Sequence, residues 1–128
     1  MSIKRYGAGE TGAGKQALPF ARAVEANGWL YVSGQVAMEN GEIVGGGIVA
    51  ETRKAIENMI AILKEAGYGT QDLVRVGVWL DDPRDFSSFN AVFEKHFIDH
   101  PPARSTVQSP LMVDAKVEMD VIAYKPLG

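Results

Sequence analysis

Apolar residues at every second position mark the strands of this chain, and apolar residues at every third or fourth position mark its helices. Near the C-terminal end, Val117, Met119, Val121 and Ala123 share one face of a strand; Glu118, Asp120, Ile122 and Tyr124 share the other. Trp29 to Met38 alternates in the same way. Leu30, Val32, Gly34 and Val36 fall on one face, and Trp29, Tyr31, Ser33 and Gln35 on the other. Asn27-Gly28 and Asn40-Gly41 suit tight type I′ turns, whose two central residues both take positive φ. Together they predict a three-stranded antiparallel meander of Phe20 to Ala26, Trp29 to Met38, and Glu42 to Val44. Gly45-Gly46-Gly47, with no lysine beside it in sequence, reads as a flexible joint.

Val49 to Ala66 has the period of a helix. Thr52, Ala55, Ile56, Met59, Ile60 and Leu63 form its inner stripe, Glu51, Arg53, Lys54, Glu57 and Lys64 its wet side, and Gly67 its stop. Leu73 to Leu80 alternates as a strand with Val74, Val76, Val78 and Leu80 inward. Asp81-Asp82-Pro83 suits a helix start, and the second helix runs from Pro83 to Phe97 with Phe86, Phe89, Phe93 and Phe97 as a core-facing stripe. Pro101-Pro102 ends that element and feeds a strand carrying Arg104. The order β-β-β-α-β-α-β-β predicts a two-layer α+β domain spanning 1–128, a mixed sheet with two helices on one face. The other sheet face stays half apolar, which predicts a closed homo-oligomer. Ile3-Lys4-Arg5-Tyr6 suits a short edge strand within a flexible glycine-rich lead-in of residues 1–16. There, Gly9 to Gln16 imitates a phosphate-binding loop until Gln16 stands where Ser or Thr is needed, and Pro19 opposes the helix that such a loop requires.

Composition narrows the function. A net charge of −3 argues against nucleic acid or an anionic membrane as the main partner. The absence of cysteine excludes disulfides, thiolate catalysis and Cys-based metal sites. The first twenty residues hold no apolar core of signal-peptide length and no later stretch is long enough to span a bilayer, so the expected location is the cytoplasm.

Four polar positions are candidates for chemistry. Arg104 offers a planar fork of donors for a carboxylate. Glu118 is a carboxylate within an otherwise apolar strand, where partial burial favours acid–base work. Ser33-Gly34 offers a hydroxyl and a backbone that a ligand can approach closely, and Asn90 is an amide among Phe89, Ala91 and Phe93. Each has a structural alternative: an Arg104–Glu118 ion pair that neutralises a sheet face, an ordinary strand serine, a solvent-facing asparagine. A hairpin about Leu111 would set Arg104 nearly opposite Glu118. His96 and His100, four apart, allow a metal-ligand reading, but no carboxylate completes an H-E-x-x-H pattern and Pro101 takes His100 off the helix.

Val32-Ser33-Gly34-Gln35, Asp85-Phe86-Ser87-Ser88-Phe89-Asn90, Pro102-Ala103-Arg104-Ser105 and Val117-Glu118-Met119, with Phe20 after Pro19, resemble the motifs of the RidA (YjgF/YER057c/UK114) family of enamine/imine deaminases. The resemblance covers about residues 17–125. It implies a chorismate-mutase-like fold, a homotrimer, strands of Arg104 and Glu118 that are not neighbours, and sites shared between subunits. It further implies hydrolysis of 2-imino or 2-enamino acids to 2-oxo acids and ammonia without a metal or cofactor. Carried over, Arg104 binds the substrate carboxylate, Glu118 activates water, and Ser33, Gly34, Asn90, Thr106 and Phe20 line the pocket. Phe20 stands where the family often has Tyr, and Thr106 where it often has Cys. The same Arg104 would also serve a non-catalytic trimer that binds small 2-oxo acids. A ribonuclease reading fits poorly with the negative charge and with matched motifs that contain no His.

Overall fold

The computed structural model describes residues 2–8 and 18–127. The phosphate-loop imitation and most of the lead-in lie outside the described residues. The strands are β1 (Ile3–Tyr6), β2 (Ala23–Ala26), β3 (Trp29–Gln35), β4 (Met38–Glu39), β5 (Glu42–Ile43), β6 (Leu73–Leu80), β7 (Ala103–Gln108) and β8 (Val117–Tyr124). The helices are α1 (Ile48–Glu65) and α2 (Phe86–Phe97), the latter entered through a short 3-10 turn, Pro83–Asp85. Six strands form one mixed sheet in the order β1-β2-β3-β8-β6-β7; β6 and β7 run parallel and the other pairs antiparallel. Both helices cover one face of it, the two-layer α+β arrangement that the order of elements predicts.

The meander differs in its members. β1, β2 and β3 form it, and β4 and β5 make a separate two-stranded ribbon. Asn27 and Gly28 (φ 53° and 89°) and Asn40 and Gly41 (φ 52° and 82°) adopt the left-handed geometry that their turns require. Gly28 has a second reason: a β-carbon there would lie 2.6 Å from the Lys125 carbonyl oxygen. The core packs Leu30, Val32, Val76, Val78, Leu80, Val117, Met119 and Val121 from the sheet against Ile56, Met59 and Leu63 of α1 and Phe89 of α2.

Two expected faces shift, both for the same physical reason. Val74 is 42% exposed because the register slips between Leu73 and Arg75, which places Leu73 inward instead. In β3 the register slips between Val32 and Gln35, so Gly34 leaves the face of Leu30 and Val32. A third correction lies on α1. Glu51, expected on the wet side, is buried, and its carboxylate accepts the Lys116 backbone N–H at 2.9 Å. It thereby ties the first turn of α1 to the entry of β8. Glu51→Ala is expected to strand that N–H and lower the free energy of unfolding by about 1–3 kcal/mol. Urea denaturation followed by circular dichroism measures it.

Candidate functional site

The strand order separates the two charged residues that the sequence singles out. β7 pairs only with β6, and β8 lies between β3 and β6. No hairpin therefore joins β7 to β8. On β6, Val76 stands opposite Arg104 and Trp79 opposite Glu118. Val76 and Trp79 are an odd number of residues apart in a regular stretch of strand, so their side chains point to opposite faces. Val76 is fully buried beneath the helices. Arg104 thus lies on the helix side of edge strand β7, and Glu118 on the open side of the sheet. The ion pair between them does not form.

Arg104 is held by aromatic rings. Its guanidinium carbon lies 4.8 Å from the ring centre of Phe93, 5.4 Å from Phe89 and 5.8 Å from Phe86. These are cation–π distances, each worth about 0.5–2 kcal/mol depending on exposure. Ion pairs among the described residues join Arg22 to Glu65, Lys54 to Glu39 and Arg84 to Asp82. Arg104 takes part in none of them. Burial lowers its pKa from the usual arginine value, yet a guanidinium remains protonated near neutrality. A fixed cation with its donor fork uncommitted is the result.

A cavity of about 430 Å³ opens beside it, bounded by Arg104, Asn90, Phe93 and Phe97 and by Pro101 and Pro102. The structure therefore brings Asn90 and Arg104 together. Thr106 shares their side of β7, opposite buried Val78. Its hydroxyl oxygen is buried with no hydrogen-bond partner among the described residues. The phenylalanine stripe was expected to be core alone. Phe89, Phe93 and Phe97 are core, but Phe86, at the start of α2, is 42% exposed; the stripe also carries the arginine, and Phe93 and Phe97 wall the cavity.

The second group of candidates sits elsewhere. The irregularity in β3 turns Gly34 toward Glu118, and a methyl group at Gly34 would overlap the Glu118 carboxylate oxygen Oε2. Gly34 is thus the gap in which the carboxylate rests. The Ser33 hydroxyl donates to the Ala21 carbonyl at 2.7 Å, and the Ser33 N–H donates to the Arg22 carbonyl at 2.9 Å. That commits its proton and leaves its oxygen free to accept. Phe20, one residue before Ala21, is 52% exposed. Phe20, Ser33, Gly34 and Glu118 therefore belong to one region, and Asn90, Arg104 and Thr106 to another. Burial, and next the charge of Asp120, raise the Glu118 pKa above the usual glutamate value.

The histidines join neither region. His96 Nδ1 lies 2.9 Å from the Val92 carbonyl oxygen, and His100 is exposed beyond α2. Among the described residues, no group of three or more His, Cys, Asp or Glu side chains is placed to hold a metal ion. Among the described residues, no helix is long and apolar enough to cross a membrane.

Known proteins match most of this chain. A family model described as Endoribonuclease L-PSP matches residues 12–125. A RutC family protein of Pyrococcus abyssi is 42% identical over 110 residues, covering 84% of this chain and 87% of its own. The mouse protein named 2-iminobutanoate/2-iminopropanoate deaminase is 34% identical over 110 residues, covering 84% of this chain and 82% of its own. The crystal structure of yeast Mmf1, a protein named as mitochondrial, superposes with a TM-score of 0.87 at 32% identity, over 97% of this chain and 99% of that one.

Because the folded pKa of Glu118 is raised, its charged form opposes folding. The stability it permits is fully present below its unfolded pKa and is lost as pH rises through the folded one. Glu118→Gln is therefore expected to raise the thermal midpoint at neutral pH. The gain should vanish below the ordinary carboxylate range; paired melting curves across pH measure it.

Proposed function

This chain belongs to the Endoribonuclease L-PSP family, the RidA or YjgF/YER057c/UK114 proteins, and on that footing we propose that it is a hydrolytic deaminase of 2-imino and 2-enamino acids. One observation carries the reading. Arg104 is a ring-mounted guanidinium with no anion of its own among the described residues, facing a cavity large enough for a small carboxylate. A charge-assisted bidentate pair with a substrate carboxylate contributes about 1.5–3 kcal/mol and fixes the adjacent C=N carbon in place.

The reaction asks little more. The substrate binds through its carboxylate on Arg104, with the Asn90 amide beside it and Thr106 farther along the strand. Water adds to the C=N carbon, forming a C–O bond as the π pair moves to nitrogen. The carboxylate of Glu118 takes a proton from the water and returns it to nitrogen. The same carboxylate next takes the proton of the new hydroxyl and gives it to nitrogen; the oxygen pair forms the C=O bond as the C–N bond breaks, and ammonia leaves a 2-oxo acid. The raised pKa of Glu118 suits both halves of this exchange. Gly34 leaves room for the carboxylate, and the Ser33 oxygen can accept from substrate nitrogen. No metal or organic cofactor is invoked.

Arg104 and Glu118 occupy opposite sides of one sheet, so no single copy can supply both to one substrate. The reading therefore requires a homo-oligomer, in which the Arg104 region of one copy meets the Glu118 region of the next. The open sheet face supports self-association, because Trp29, Tyr31, Val107 and Tyr124 are exposed there. A closed trimer, acting in the cytoplasm on small molecules without nucleic acid or membrane, is the assembly we propose.

Arg104→Ala is expected to lower kcat/KM for imine hydrolysis by roughly 10- to 150-fold or more while the oligomer persists in size-exclusion chromatography. Arg104→Lys is expected to fail largely as well, since a point charge does not replace a fork. An unchanged rate in Arg104→Ala sinks the proposal. Binding of a 2-oxo acid without any acceleration of imine decay would make the chain a binder instead.

The shared site has its own test. Arg104→Ala and Glu118→Gln chains, each expected to be inactive alone, are unfolded together and refolded. Random assembly in a symmetric oligomer puts an intact Arg104 against an intact Glu118 in about a quarter of the sites. Recovery near that fraction supports a site between copies, and no recovery contradicts it.

A further inference from the structure

On one copy, before a neighbour meets it, the cavity beside Arg104 is larger than a small imino acid needs. Each non-hydrogen atom takes roughly 30 Å³, the share of a water molecule in the liquid. An alanine-derived imino acid, with about six such atoms, fills roughly 180 Å³. The cavity is about 430 Å³. A leucine-derived imine, at about nine atoms, or a phenylalanine-derived one, at about twelve, fills roughly 270–360 Å³.

Its walls are apolar and preformed. Phe93, Phe97, Ile98, Pro101 and Pro102 make most of the lining. Phe93 and Phe97 are core side chains, 8% and 2% exposed, so that wall cannot fold into the space without disturbing the core. Two consecutive prolines fix the opposite rim. Among the described lining residues Arg104 is the one cation, and the anchoring carboxylate uses it. The other charged group there is the Glu94 carboxylate. A second carboxylate on the substrate would meet the like charge of Glu94, with no second cation among the described lining residues to offset it.

Resting on the deaminase reading above, we propose that the substrate side chain enters this cavity. The chain then prefers 2-imino acids with branched or aromatic apolar side chains, and discriminates against alanine-sized and dicarboxylic ones. Unfilled apolar volume leaves the alanine-derived substrate short of contacts. A difference of one methylene in such a pocket is worth roughly 10- to 200-fold in kcat/KM.

The test uses the full-length oligomer. An amino-acid oxidase generates imines from alanine, leucine, phenylalanine and glutamate, and semicarbazide traps what remains unhydrolysed. The expected kcat/KM for the leucine- and phenylalanine-derived imines exceeds that for the alanine-derived one by at least about 10-fold, and the glutamate-derived imine falls below all three. Ile98→Trp, at an exposed lining position, is expected to lower the phenylalanine-to-alanine ratio by about 10-fold. Glu94→Lys is expected to raise the glutamate-to-alanine ratio by about as much. Equal or faster turnover of the alanine- or glutamate-derived imine, or ratios unmoved by both variants, overturns this inference and leaves the deaminase reading standing. No acceleration of any imine overturns the deaminase reading and this inference with it.

Discussion

A guanidinium resting on three phenylalanine rings, with no anion of its own among the described residues, is the interaction on which everything else turns. Aromatic faces hold a cation in place without neutralising it. A carboxylate partner would have held Arg104 equally well, and would have left nothing for a ligand. The mount also fixes the direction of approach. α2 supplies the rings, the Pro101-Pro102 segment that follows closes the rim, and β7 carries the arginine. A single stretch, residues 86–104, therefore builds the Arg104 half of the proposed site almost unaided.

The Glu118 half of the proposed site lies across the sheet. Glu118 rests in a gap that exists only because residue 34 is glycine, and because β3 slips its register at that point. A sheet cannot bend Arg104 and Glu118 to one side, since successive residues of a strand alternate faces. The separation constrains function as firmly as a contact would, because the proposed chemistry then needs a second copy to complete the site. The exposed aromatic residues on the open face fit the same requirement.

Much of this was legible in the residues. Two Asn-Gly turns, two periodic helices and the alternation of β6 and β8 give the layers, since each follows from local geometry. The motifs around Arg104 and Glu118 mark the candidate residues. Three things were not legible, for a common reason. The slips near Val74 and Gly34 depend on how two distant strands align, and alternation within one strand carries no trace of that. The burial of Glu51 depends on the Lys116 N–H arriving 65 residues later. The double duty of Phe93 and Phe97 depends on where the arginine strand docks, so their spacing reports only that they face inward.

The most direct measurement is a crystal structure of the oligomer soaked with 2-oxobutanoate. The account predicts its carboxylate on the Arg104 fork of one copy, its keto carbon near Glu118 of the neighbouring copy, and its methyl end directed into the cavity walled by Phe93 and Phe97. A carboxylate bound elsewhere, or an Arg104 that remains turned onto its rings with both charged residues far from the ligand, would contradict it.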